Sequence, residues 1–288
     1  MNGVPAGSVQ LKNGASSCKL DLNLRHCGAM TRPSTGRTFA VGVVILAAGR
    51  SARMGRPKLL LPWGGTSVLG HLIEQWEALG AKQIAVVCAA GELARISAAQ
   101  VAADGSRHTP SASQTASTAV GGYVVSVGDA RAETCTMGIQ AELDRVGFPA
   151  RNRIVNPAPE RGMFSSIQCA AQWPGWKARL THWAIVLGDQ PHLQPQTLRQ
   201  VLAFSAARPD RVCQPTREGH RRHPVLLPKA VFRELAASTA ATLKAFLVAR
   251  PQELAVCEVD DPGLELDIDR PEDYDKALRM AAKRYAGR

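Results

Sequence analysis

From Val41 onward, short apolar runs alternate with segments whose apolar positions recur every three or four residues. The runs read as buried strands and the longer period as amphipathic helix. VGVVIL, opening at Val41, is a first strand; it passes through a glycine-containing loop into TSVLGHLIEQWEALG, where Val68, Leu69, Leu72, Ile73, Trp76 and Leu79 share one face. Thr66 or Ser67 caps this helix and Gly80 stops it. QIAVVCAA is a second strand, followed by a helix from near Gly91. AELDRVGFPARNRIVNP adds a helix and a strand, and THWAIVLGDQP a further strand. Helices are predicted over Ser165–Trp173, Gln196–Phe204, Lys229–Ala236, Thr242–Arg250 and Glu272–Arg284, with strands near Val212, Val225 and Leu254. This alternation predicts an α/β fold: a mostly parallel sheet with helices on both faces.

Residues 1–40 lack any sustained period and carry five basic residues against Asp21 alone, which reads as a disordered basic tail. Met30 offers an internal start within it. Residues 41–288 read as a single domain, interrupted at about 103–136 by a Ser-, Thr-, Ala- and Gly-rich surface insertion. The absence of any internal repeat excludes solenoids and propellers.

The chain has 288 residues, 45% hydrophobic and 20% charged, which is enough for a buried core and excludes global disorder or a coiled coil. Its longest apolar run, Val41 to Gly49, is far short of the roughly 20 residues that cross a bilayer. Seven cysteines without a CxxC pair fit reduced thiols in a cytoplasm. A net charge of +11 admits nucleic acid, an anionic surface or a phosphorylated small molecule as partner. With aromatic residues at 5% and no recognisable module, nucleic acid ranks lowest.

Chemistry concentrates in five segments. LAAGRSARMGRPK, Leu46 to Lys58, follows the first strand; its small residues admit a ligand to the backbone, and Arg50, Arg53, Arg56 and Lys58 suit a polyanion such as a triphosphate. Neither the dinucleotide fingerprint nor the P-loop spacing is present. IVLGDQP places Asp189 at the C-terminal end of a strand, the edge where open α/β sheets bind ligands, and a carboxylate there can hold a hard divalent cation. LELDIDRPEDY supplies Asp267 and Asp269 on one face of an extended segment, and either can complete a metal site with Asp189. NPAPERGMFSSIQ brings Asn156, Ser165 and Ser166 to a helix start, where they bind ribose, base or phosphate, or simply cap the helix. GHRRHPVLL sets His220 and His223 beside Arg221 and Arg222, a basic contact for an anionic acceptor rather than a transition-metal site.

In order, LAAGRSARMGRPKLLLP, NPAPERGMFSSIQ, VLGDQP, RRHPVLL and LDIDRPEDY resemble the MobA-like nucleotidyltransferases, most closely the molybdenum cofactor cytidylyltransferases, from Val41 to about Arg284. The resemblance implies a Rossmann-like sheet of the nucleotide-diphospho-sugar transferase type that binds a nucleoside triphosphate with a divalent metal, usually Mg2+, with Mn2+ as a substitute. It implies that Leu46, Ala47, Ala48 and Gly49 meet base and ribose, Arg53 and Lys58 the triphosphate, and Asp189 and Asp269 the metal. Arg53, Lys58 and Asp189 are then the catalytic set, Asn156, Ser165 and Ser166 join the nucleotide contacts, and Arg222 and His223 face the acceptor. LAAG accompanies cytidine enzymes where guanylyl relatives usually read LAGG, so the expected reaction is CMP transfer from CTP to the terminal phosphate of molybdopterin cofactor. The alternatives are guanylyl or other nucleotidyl transfer to a different phosphorylated acceptor, and a non-catalytic chaperone carrying the cofactor to a molybdenum hydroxylase client. Two departures stand out: Arg222 precedes the His-Pro pair where the family usually has Gly, and the 103–136 insertion is absent from compact relatives.

Overall fold

The first strand shows why the apolar runs are continuous rather than alternating. In β1 (Val41–Leu46), Val41, Val43 and Ile45 enter one apolar cluster while Val44 enters another, so both faces are buried. The computed structural model describes residues 38–49, 53, 54, 56–90, 119, 120, 123, 124 and 138–285, all within the compact unit Arg37–Arg288. The helix expected near Gly91, nearly all of the 103–136 insertion and the basic tail through residue 37 lie outside the described residues.

After β1 come the short strands β2 (Pro62–Trp63) and β3 (Thr66–Ser67), which pair with each other, then α1 (Val68–Ala78) and β4 (Gln83–Ala89). A separate two-stranded pairing joins β5 (Ala119–Val120) to β6 (Tyr123–Val124). The chain continues through α2 (Ile139–Arg145), β7 (Arg153–Asn156), α3 (Met163–Gln172), β8 (His182–Leu187), α4 (Pro195–Ala206) and β9 (Val212–Arg217). It closes with β10 (His220–Arg221), β11 (Val225–Pro228), α5 (Lys229–Glu234), α6 (Leu243–Val248), β12 (Leu254–Glu258) and α7 (Pro271–Tyr285). The main sheet runs β10-β9-β11-β8-β1-β4-β7, with β12 parallel to β9. β1 is parallel to both β4 and β8, whereas β11 is antiparallel to β8. Helices α1, α2, α4 and α7 cover one face; α3, α5 and α6 cover the other. The expected α/β architecture is therefore the observed one.

Local signals explain the element ends. The Gly70 N–H donates to Ser67 Oγ at 2.9 Å, capping α1, and Gly80, at φ 84°, closes it. Two boundaries depart from the sequence reading. Phe39 and Ala40, assigned to the tail, are folded: the Phe39 ring lies 4.7 Å from that of His182, and the Ala40 N–H donates to Thr181 Oγ1 at 3.0 Å. Glu218 and Gly219, at φ 51° and 77°, make a tight turn that folds His220 and Arg221 back onto β9. The basic stretch is thus part of a hairpin.

His182 illustrates how burial at the start of β8 makes stability depend on pH. Its Nε2 donates to the Pro209 carbonyl at 3.0 Å and its Nδ1 meets Thr181 Oγ1 at 2.9 Å. Burial, the largest influence, pushes the imidazole below its ordinary range, with the Pro209 carbonyl and the Asp210 charge acting in the opposite direction. A depressed folded-state value means the unfolded chain takes up the proton first, so this stabilisation is complete above about pH 6.5 and is lost as pH falls. Urea unfolding at pH 7.5 and 5.5 should show that decline, and His182→Leu should flatten it. An unaltered slope in the variant would assign the pH dependence elsewhere.

Candidate active site

The chain leaves β1 toward β4 and later returns on the other side of β1 as β8, so strand order reverses between β1 and β8. Leu46 lies opposite Leu187 at their C-terminal ends, and ligands of open α/β sheets bind in the crevice at such a reversal. Gly188 permits the closeness: a Cβ there would come within 2.9 Å of the Leu46 carbonyl oxygen and 2.6 Å of Leu59 Cδ2. Beside these strand ends opens a cavity of about 440 Å³ lined by Leu46, Ala48, Gly49, Lys58, Ser166 and Asp189, together with Pro159, Glu160, Gly162 and Met163.

A chain of charged groups leads outward from two of its lining residues, Lys58 and Asp189. Lys58 Nζ donates to Asp189 Oδ2 at 2.6 Å and reaches Asp269 Oδ1 at 3.4 Å, while Arg53 Nη1 donates to Asp269 Oδ2 at 2.7 Å. The Lys58 and Asp189 side chains are each 18% exposed, against 70% and 42% for Arg53 and Asp269. The inner pair is therefore sheltered and the outer pair screened by water. The Ile268 N–H donates to the Asp189 carbonyl at 3.1 Å, and Gln190 Nε2 donates to Asp267 Oδ1 at 2.8 Å, tying the two acidic segments together. Partial desolvation, and then the charge of Asp189, raise the Asp267 carboxyl above its usual range.

Among the described residues no group of three or more His, Cys, Asp or Glu side chains is arranged to hold a metal ion. The chemistry of the donors nevertheless fits one class of ion. Asp189 Oδ1 is buried without a hydrogen-bond partner, and Asp269 approaches the same ammonium. One or two carboxylates beside a cavity suit magnesium, which keeps several waters and takes further ligands from substrate phosphates. The HxxH pair offers nothing comparable: burial pushes the His223 imidazole below its ordinary range, and its Nδ1 faces the Ile185 carbonyl at 3.3 Å.

The remaining sequence candidates divide. Ala47 is in the core, its N–H donating to the Val87 carbonyl at 2.9 Å, and it does not line the cavity. Asn156 is also buried; its Nδ2 donates to Ser165 Oγ at 2.8 Å and Ser166 Oγ at 2.9 Å, and its Oδ1 accepts from the Ala158 N–H at 2.9 Å. Asn156 and Ser165 thus knot the end of β7 to the start of α3, as buried polar groups must satisfy one another, and only Ser166 of the three lines the cavity. Arg222 and His223 line a second cavity of about 480 Å³, which shares Met163 with the first. Arg222 is paired with Glu265, so its charge is already engaged. Arg221 and Lys244 line the same cavity and are exposed; Arg221 belongs to the basic stretch expected to meet an anionic acceptor, whereas Lys244 does not. Lys244 lies on α6, distant in sequence from the basic stretch, so no local pattern marks it.

A family profile described as the MobA-like NTP transferase domain matches residues 43–121 and 114–254. No curated protein matches the chain. Among solved structures, Rv0371c from Mycobacterium tuberculosis H37Rv is 25% identical with a TM-score of 0.54, covering 84% of this chain and 98% of its own. A nucleotidyl transferase from Methanothermobacter is 17% identical with a TM-score of 0.55, covering 83% and 98%. Molybdopterin-guanine dinucleotide biosynthesis protein A from Archaeoglobus fulgidus is 13% identical with a TM-score of 0.50, covering 84% and 99%.

Proposed function

The chain belongs to the MobA-like NTP transferase family and is a nucleotidyltransferase, and from that premise we propose that it transfers CMP from CTP to the terminal phosphate of molybdopterin cofactor. The observation that carries this reading is the juxtaposition, at one cavity, of Leu46, Ala48 and Gly49 from the LAAG turn with Lys58 and Asp189. The LAAG turn supports CTP as the donor, since Ala48, which lines the cavity, stands where the guanylyl relatives usually have glycine.

In this reading an oxygen of the acceptor's terminal phosphate attacks the α-phosphorus of CTP, the bond to the bridging oxygen breaks, and pyrophosphate leaves. The nucleophile is already anionic, so no covalent enzyme intermediate is needed and catalysis is alignment and charge neutralisation. Lys58 and Arg53 hold the triphosphate, and Ser166 at the first turn of α3 faces the same ligand. A divalent ion held by Asp189 and Asp269 would supply further charge neutralisation on the phosphates. The acceptor takes the second cavity, where Arg221 and Lys244 meet its negative charge and Met163 stands at the junction with the donor cavity. Arg222 and His223 shape that wall.

Pyrophosphate release should be measured with Mg2+ and each of CTP, GTP, ATP and UTP, with and without purified molybdopterin cofactor. Acceptor-dependent release with CTP alone is the expected result. Release with GTP alone would overturn the donor assignment. Cofactor binding without release under any donor would favour a carrier for a molybdenum hydroxylase.

A further inference from the structure

We propose that Lys58 is the resident counter-ion of Asp189 in the nucleotide-free protein, and that its transfer to nucleotide phosphates makes nucleotide binding and divalent-cation binding mutually dependent. The proposal rests on the metal-dependent reading of the site, though on neither the base nor the acceptor.

The ammonium of Lys58 sits 2.6 Å from Asp189 Oδ2 and 3.4 Å from Asp269 Oδ1, which are oxygens of the two carboxylates assigned to the cation. A cation arriving alone would meet this fixed positive charge at 18% exposure, where water screens little. Lys58 also lines the nucleotide cavity, so a triphosphate entering there offers its ammonium a second set of anionic oxygens. The backbone need not follow. Lys58 opens the short helical turn Lys58–Leu60, and Leu59 anchors that turn in the core, while a lysine carries its charge on a flexible stem. Once Lys58 turns to phosphate, Asp189 Oδ2 joins Oδ1, which is buried and already lacks a hydrogen-bond partner. Linkage then requires that nucleotide and cation each raise the affinity for the other by one factor.

The test is Mn2+ titration of the nucleotide-free protein, with free Mn2+ read by electron paramagnetic resonance. Lys58→Met should bind Mn2+ more tightly than the wild type, within the coupling range of about 5- to 150-fold. The gain should vanish in the double variant Lys58→Met/Asp189→Asn. Equal or weaker binding by Lys58→Met overturns the proposal, as does the absence of Mn2+ binding in both proteins. A second measurement needs no variant: acetic anhydride labelling of Lys58, scored by mass spectrometry against exposed Lys244, should rise when saturating Mg2+ is added to the wild type. Unchanged labelling also overturns the proposal. Neither experiment contains CTP or acceptor, so a failed pyrophosphate assay leaves them standing, and a successful one cannot rescue them.

Discussion

Asp189→Ala lowers acceptor-dependent pyrophosphate release by about 100- to 1,000-fold, the usual cost of removing one preorganised electrostatic contact from a reacting centre. The loss is expected to be chemical rather than structural. The Asp189 backbone carbonyl still accepts from the Ile268 N–H, so the acidic segment that carries Asp269 stays in place. Lys58 is not stranded either, because Asp269 Oδ1 remains 3.4 Å from its ammonium. Steady-state rates at saturating CTP and Mg2+, set beside urea midpoints, separate the two effects. A variant that turns over like the wild type would remove Asp189 from the site, and one that unfolds early would make its role architectural.

Asp261→Ala is expected to cost on the order of 3 kcal/mol of folding stability, roughly a hundredfold in the folding equilibrium. Asp261 has 0% exposure, and its carboxylate accepts from the Gln194 N–H, Thr197 Oγ1 and the Gly263 N–H, each at 2.9 Å, and from Gln194 Nε2 at 3.3 Å. These bonds tie Gln194, the residue before α4, and the Thr197 hydroxyl of its first turn to the segment that follows β12. They also anchor the start of the segment that leads to Asp267 and Asp269. Truncation leaves buried donors unpaired, whereas Asp261→Asn keeps one acceptor and should lose less. Urea unfolding of the three proteins checks this ordering, and a change below about 1 kcal/mol for the alanine variant would contradict it.

Asp261 also shows where sequence reading stops. Nothing in GLELDIDRPEDY or the preceding acidic pair marks which carboxylates are buried, and Asp267 and Asp269 are indistinguishable by spacing. Contacts separate them: Gln190 holds Asp267, while Lys58 and Arg53 hold Asp269. The same limit applies to Asn156 and Ser165, which read as ligand contacts because polar residues at a helix start can serve either role. In the folded chain their polar atoms are spent on one another and on the neighbouring backbone at Ala158 and Gly162.

What the sequence by itself determined is the class of architecture and the position of the chemistry along the chain. Continuous apolar runs must be buried on both faces, a 3.6-residue period must present one face, and glycine with clustered cations at a strand end suits a polyanion; all three are local properties. Only the tertiary structure decided that Leu46 and Leu187 end side by side, that Lys58 lies between carboxylates more than a hundred residues away in the chain, and that Lys244 and Arg221 line the same second cavity. Those relations depend on strand order and on which side chains exclude water, and both arise only when distant segments pack together.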